Sequence, residues 1–433
     1  MCDTLVALGN STVDGSVLLA KNSDRQPNEP HIMIRIPRMR HDLEQNKYVK
    51  TTYIEIPQVE HTYGVVLLKP SWIWGCEMGW NEFGLNIGNE AVFTKEKKGA
   101  SGLTGMDMVR IALERCKTCE ETVELLADLL EAYGQGGNCG YEKPFTYHNS
   151  FLIADRASAW VFETAGRFWA AKQVKDTYCI SNCLSIGKDF DKSHPNLIRH
   201  AIEKGWCKSE ADFEFAKCYS DKLYTHFSGS IVRREACEST LQAAKGNIDV
   251  GLMKKILRGH AKELDGRLFQ RGSVKSVCMH AGGMIGDHTT GSYIASIDDK
   301  ICTYWVTGAS TPCISVFKPL WIEEEMPIFS ETEQAQAIEY WKLREKLHRH
   351  ILQRDIDLSE HRKLRDSLEQ EIEEAMPAAD LSDGIGRSGI MKQLFAREED
   401  FIRSQLARCT GTSNRIKGRL HFRRYWKKQN EKL

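Results

Sequence analysis

The chain has 433 residues, 41% of them hydrophobic, and Lys plus Arg balance Asp plus Glu at 59 each. That length allows roughly two to three domains, or one large α/β domain with an appendage, and the zero net charge excludes a general nucleic-acid binder and a polybasic membrane-surface protein. The 14 cysteines, in a chain that opens without a basic and then apolar leader, read as reduced thiols of a cytoplasmic protein; no run approaches the ~18 apolar residues of a membrane span.

In chain order, residues 1–25 predict a hairpin. Residues 2–8 are strand-like, "NSTVDG" (10–15) is turn chemistry with Asp14-Gly15 at its centre, and "SVLLAKNSDR" (16–25) returns. Pairing Gly9 with Ser16 sets Cys2 opposite Ser23; a one-residue offset sets it opposite Asp24. Either register brings "KNSDR" (21–25) beside the N-terminus. Further strands are expected at 63–68, 84–93, 149–155, 158–165, 168–174 and 178–182, the last four as a meander. Helices are expected at 104–115 and 118–133, the second opened by Thr118 with Glu121 three residues on, a capping-box pattern. "SYIASID", "ICTYWVTG" and "CISVFKP" close the sheet region. Beyond about Trp321 the chain turns charged and helix-periodic: 330–355, then 361–376, a break at "PAADLSDGIGRSG", and a last basic helix over 391–428. The boundaries drawn are a domain at 1–325 and a charged helical extension at 326–433. That extension either packs on the main domain or offers a surface to a protein partner or a second copy.

The candidate chemistry starts at Cys2, directly behind the initiator methionine. Removal of Met1 would leave a thiol and a free α-amine on one residue. Their ordinary pKa values, about 8.5 and about 7.7–8.0, are close enough that moving the proton from sulfur to nitrogen costs roughly 1 kcal/mol. Such a residue carries its own general base. Attack on an amide carbonyl would then need fixed donors for the oxyanion.

"MCDTLVAL…DGSVLLAKNSDR" resembles the opening of the cysteine dipeptidase and secernin family of N-terminal-nucleophile hydrolases, which are distantly similar to choloylglycine (bile-salt) hydrolases and penicillin V acylases. "GWNEFGLNIGNEAVFT", "NSFLIADRASAWVFETAGRFWAAKQV", "YCISN", "SVCMHAGG", "TTGSYIASID" and "TGASTPCISVFKP" extend the resemblance in the same order over about residues 2–322. It implies an α+β fold, a four-layer αββα sandwich, followed here by the helical extension. It implies amide-bond hydrolysis by Cys2 without cofactor or metal, on a small peptide or an N-acyl amino acid. It also implies supporting residues. Lys21 and Asp24 have the spacing of a basic residue and an Asp that assist the nucleophile. Because the relatives' basic residue is often Arg, Arg25 is the substitute candidate. Asn182 in "ISN" corresponds to a strand-end asparagine that orients substrate or oxyanion, and Asn89 in "GNEAV" is the second donor candidate. The favoured reading is a dipeptidase. The alternatives are an N-acyl amide acylase and a secernin-like regulator associated with exocytosis that acts by binding partners.

Other motifs carry less. Cys116 and Cys119 have CxxC spacing at a helix junction without a second pair at zinc-ribbon distance, and Cys278 and His280 alternate on a strand and cannot bind zinc alone. His148 reads as a structural histidine or a cleft residue. "WIWGCEMGW" (72–80) reads equally as core or as a pocket wall.

Overall fold

The computed structural model describes residues 1–282, 286–376, 381, 383–409 and 416–433. Gly283 of "SVCMHAGG", most of the "PAADLS" break and residues 410–415 of the expected last helix lie outside them.

The hairpin forms with the first of the two registers. Cys2 pairs with Ser23, and the pairing runs on to Ala7 opposite Leu18. Gly15, at φ 82°, supplies the left-handed turn position, and Asp14 Oδ1 accepts from the Ser16 N–H and hydroxyl. These two strands sit inside a six-stranded antiparallel sheet ordered Thr177–Ile180, Cys2–Ala7, Val17–Arg25, His288–Ile297, Thr303–Val306, Lys318–Leu320. A nine-stranded sheet faces it, ordered Lys192–Ser193, Phe168–Gln173, Ala159–Ala165, His148–Ala154, Asn86–Val92, Met78–Asn81, Val65–Pro70, His31–Ile36, Phe329–Ser330. The meander expected at 149–174 lies in this second sheet. Thr177–Ile180 crosses to the first and pairs with the N-terminal strand.

Side-chain alternation sorts each strand into layers. Val6, Leu19, Leu152, Val161, Trp80 and Tyr293 fill the space between the sheets, where Trp80 stacks on Tyr304. Ile34, Leu67, Ile87 and Phe151 face outward against the helices Gly105–Arg115 and Cys119–Tyr133. Leu5, Ala7, Leu18 and Ala20 face the opposite way, against Ser230–Ala243 and Val250–Leu257. The order helix, sheet, sheet, helix is the expected αββα sandwich, and it places "WIWGCEMGW" mainly in the core.

The capping box appears one helix earlier than expected. Thr104 and Asp107 exchange side-chain and backbone bonds at the start of Gly105–Arg115. Thr118 does cap its helix through the Glu121 N–H, but the Glu121 carboxylate reaches the Lys117 N–H instead of returning to Thr118. In the extension, helices span Gln334–Gln353, Leu358–Ala375, Gly384–Ala407 and Leu420–Asn430. The third begins inside the expected break: Asp383 caps it by accepting from the Gly386 N–H, and burial of Met391, Leu394 and Phe395 offsets the cost of Gly384, Gly386 and Gly389 that one cap does not cover. The expected helix over 391–428 is correspondingly two helices. Leu368, Ile372 and Leu394 join the core that contains Ala20 and Leu257, and the Trp341 indole N–H donates to Thr290 O. The extension thus packs on the sandwich. Among the described residues no helix is long and apolar enough to cross a membrane.

Candidate active site

A cleft of about 570 Å³ opens over the N-terminus, with Met1, Cys2, Asp24, Arg25 and Glu77 at its base. Its outer wall is apolar and aromatic, including Phe145, Leu223, Tyr224 and Phe227, all of which are exposed.

Alternation decides which groups meet Cys2. Cys2 and Thr4 face the space between the sheets, as do their cross-strand partners Ser23 and Lys21, whereas Asp3, Asn22 and Asp24 face the helix layer. The Cys2 backbone N–H donates to Asn182 Oδ1 at 2.8 Å, and the Asp24 N–H points at Cys2 Sγ at 3.5 Å. Asp24 Oδ1 accepts from the Thr289 hydroxyl at 2.6 Å, while its Oδ2 is buried with no hydrogen-bond partner among the described residues. The Met1 ammonium donates to Asp24 O at 2.7 Å and to Asp287 Oδ2 at 2.9 Å.

The two candidate cations do different things. Lys21 is fully buried and bridges the sheets, donating to Asn89 O at 2.8 Å and Glu90 Oε1 at 2.9 Å; Glu90 also accepts from Thr4. Gly88 makes room for this bridge, because a Cβ there would lie 2.8 Å from Lys21 Cδ. Arg25 lines the cleft and is held by Glu29 at 2.5 Å, Glu77 at 3.1 Å and Cys139 O at 2.8 Å.

Asn182 sits beside Cys2 as the sequence suggested. Its oxygen is spent on Cys2 N and Arg233, and its Nδ2 gives one proton to Ala91 O, leaving the second for another acceptor. Asn89 is not brought to Cys2. Its strand parity turns the side chain toward the Gly105–Arg115 helix, where it donates to Asn149 Oδ1 and Ser150 O at 3.2 Å each. His148 is buried against Thr94 at 2.8 Å and lines no part of the cleft. Cys116 and Cys119 are both buried free thiols.

Two residues of the site have no local signal in the sequence. Glu77 Oε2 lies 3.8 Å from Cys2 Sγ. Arg233, on the Ser230–Ala243 helix, is buried against Asp3 at 2.9 Å and reaches Asn182 Oδ1 at 2.7 Å. Both contacts span sequence gaps that only tertiary folding closes. No element is expected from the sequence over 230–243, and nothing local says which of the neighbours Arg233 and Arg234 points inward.

The electrostatics depart from the simple matched-pKa picture. Burial pushes the Cys2 thiol up to about 12; Lys21 opposes this and Glu77 adds to it. Asp24 is raised to about 7, chiefly by burial, with the N-terminal ammonium opposing. Burial acts to lower the Met1 ammonium, but Asp287, Cys2 and Asp24 outweigh it and hold it at about 10. A lone thiolate is therefore disfavoured here, and charge at sulfur depends on adjacent cations.

The profile of "Peptidase family C69" matches residues 1–224. The chain belongs to peptidase family C69. It is 27% identical over 207 residues to proteins named "Probable dipeptidase A" from Streptococcus pyogenes serotype M18 (strain MGAS8232) and serotype M3 (strain SSI-1). The match covers 45% of this chain and 42% of each relative, so the chain spans less than half the length of the curated relatives it matches. Among solved structures, a mutant of conjugated bile acid hydrolase from Clostridium perfringens aligns at 13% identity and TM-score 0.43, over 74% of this chain and 92% of that one. Penicillin V acylase from Agrobacterium tumefaciens aligns at 12% identity and TM-score 0.42, over 75% and 87%.

Proposed function

We propose that this C69 chain is an amide-bond hydrolase, a dipeptidase of the N-terminal-nucleophile kind, in which Cys2 attacks after Met1 is removed. The observation that carries the reading is the setting of the Cys2 nitrogen and sulfur: both lie at the base of a cleft, with Asn182 Oδ1 2.8 Å from the nitrogen and the Asp24 N–H 3.5 Å from the sulfur.

Loss of Met1 turns the Cys2 nitrogen into an α-amine in that place. Asn182 accepts one of its protons, and Asp24 Oδ2, without a partner among the described residues, is the acceptor for another. The thiol proton passes to the amine, giving a thiolate beside an ammonium, a neutral pair overall that escapes much of the burial penalty on a lone thiolate. Lys21 supports the negative sulfur from below. Sulfur attacks the substrate carbonyl carbon. The Asp24 N–H and the second Asn182 Nδ2–H supply the oxyanion donors, the ammonium protonates the leaving amine, and water hydrolyses the thioester.

Asp287 supports a dipeptide in particular. It holds the Met1 ammonium at 2.9 Å, and without Met1 it is free to hold the α-ammonium of a substrate. The apolar outer wall favours apolar side chains and is also the observation behind a second reading, an N-acyl amide acylase.

The test joins intact mass, N-terminal sequencing and a dipeptide screen on the purified protein. The reading expects Met1 absent, Cys2 labelled ahead of the other thiols, dipeptide turnover, and background activity in Cys2→Ala. Retained Met1, or full activity in Cys2→Ala, removes the mechanism. Asp287→Asn separates the two substrate readings: it raises KM for dipeptides and leaves an N-acyl substrate, which has no ammonium, unaffected.

A further inference from the structure

Away from the cleft, four side chains with metal-binding chemistry meet behind the hairpin. His260 follows the Val250–Leu257 helix, Cys278 and His280 alternate shortly before the His288–Ile297 strand, and Cys313 lies in the turns after Thr303–Val306. One ligand-capable atom of each lies within 4.8 Å of all the others. His280 Nε2 is the hub, 3.1 Å from His260 Nε2 and 3.5 Å from both Cys278 Sγ and Cys313 Sγ. Three of the four residues are buried and His260 is half-buried.

Hydrogen bonding alone does not account for this convergence. A ring nitrogen offers either one proton or one lone pair, and His280 Nε2 has three close neighbours competing for it. A tetrahedral zinc ion reconciles them. Bonds of about 2.3 Å to sulfur and about 2.0–2.1 Å to nitrogen set its ligands about 3.3 Å apart for N···N and about 3.5 Å apart for S···N. The separations of 3.1, 3.5 and 3.5 Å match those edges. Thr311, a β-branched residue two positions before Cys313, sits at φ 51°. A cleft of about 510 Å³ reaches His260 and Cys313 and provides an entry path.

We propose that His260, Cys278, His280 and Cys313 bind a Zn²⁺ ion as a structural clip. Two thiolates and two imidazoles form a zinc donor set, and four protein ligands leave no open coordination position. On binding, each cysteine sulfur gives an electron pair to the metal and its proton to solvent, so uptake of the ion releases about two protons. The clip lies next to the proposed catalytic hairpin. Met279, between two of the ligands, donates its N–H to Thr289 Oγ1 at 2.8 Å, and that hydroxyl donates to Asp24 Oδ1 at 2.6 Å. The Thr311 N–H, on the Cys313 side, donates to Thr289 O at 2.8 Å. The metal thus fixes both segments that hold Thr289 against Asp24.

The test uses the purified full chain, kept reduced, incubated with zinc and desalted. Elemental analysis is expected to find about one zinc per chain. After exchange into Co²⁺, the spectrum is expected to show the thiolate-to-cobalt charge-transfer band and tetrahedral d–d bands. Cys278→Ser/Cys313→Ser should lose the metal, and His260→Gln, at the half-buried ligand, should give it up faster to a chelator while keeping the fold. Cys2→Ala should retain it, which excludes the cleft thiol as the ligand. A wild-type chain that takes up no zinc, a cobalt spectrum without a thiolate band, or full zinc content in the double cysteine variant would overturn the proposal. The cobalt spectrum is read on wild-type protein, so misfolding of a variant does not decide the outcome.

Discussion

Glu77 adds negative charge beside the Cys2 sulfur. Its carboxylate lies 3.8 Å from Sγ and helps hold the thiol up, against Lys21. Glu77→Gln removes that negative charge and releases Arg25 from one of the two carboxylates that hold it, and both changes favour the thiolate. The expected outcome is an alkylation profile for Cys2 shifted to lower pH, read by mass-resolved labelling rates. An unmoved profile would show that Glu77 does not govern the thiol. Arg233 acts through structure instead. It and Asp3 are both fully buried, and removing one member of such a pair leaves the other uncompensated. Arg233→Met is expected to cost about 3–5 kcal/mol in denaturant unfolding. It also loosens Asn182, whose oxygen Arg233 holds at 2.7 Å.

Among the elements, the His288–Ile297 strand braces the hairpin through an irregular register between Thr289 and Gly291. Gly291 is needed there because a Cβ would fall 2.1 Å from His31 Nδ1, on the opposite sheet. Gly291→Ala should therefore lower stability by about 1–3 kcal/mol, the range of an overpacked core, and equal urea midpoints would contradict this. His31 itself is lowered to about 3, chiefly by burial. Its folded pKa is below the ordinary value of about 6.5, so as pH falls below 6.5 the unfolded chain takes up a proton that the folded chain refuses. Its contribution is complete above that pH and drains away toward about 3. Asp24, raised to about 7, has the opposite slope, with stability falling as pH rises from about 4 to 7. The difference between wild type and His31→Gln isolates the histidine: the variant should lose less stability between pH 6.5 and 4. At this scale the hairpin was legible, because an Asp-Gly turn and strand alternation are local signals that set Cys2 opposite Ser23. Asn89 was misplaced by one step of the same alternation, since its neighbour Glu90 is the residue that faces Lys21. Glu77, Arg233 and the partners of Cys278 and His280 had no local signal, because their contacts depend on how the layers stack.

Across the whole molecule, the balanced charge arises partly from pairs that join the extension to the sandwich. Lys254–Glu373 at 2.6 Å, Arg258–Glu369 at 2.5 Å, Arg387–Glu323 at 2.5 Å and Lys318–Glu398 at 3.2 Å all cross that boundary or flank it. The extension also holds the Cys313 turn from outside, His361 bonding to Ile314 O at 2.8 Å and Arg365 donating to Cys313 O at 2.8 Å. The apolar contribution is larger in kind. Trp341, Ile372, Met391 and Trp426 are almost wholly buried, and burying a large apolar side chain contributes about 1.5–3 kcal/mol each. A boundary near residue 325 therefore separates two compositions without separating two cores. Ending the chain there would uncover the outer side of Ala20 and Leu257, which Leu368, Ile372 and Leu394 cover. The expected outcome is one cooperative calorimetric transition for the full chain and an aggregating product for the chain cut after residue 325. Two resolved transitions, or a soluble truncated chain melting at the full-length temperature, would mean that the extension is an independent unit resting on the sandwich.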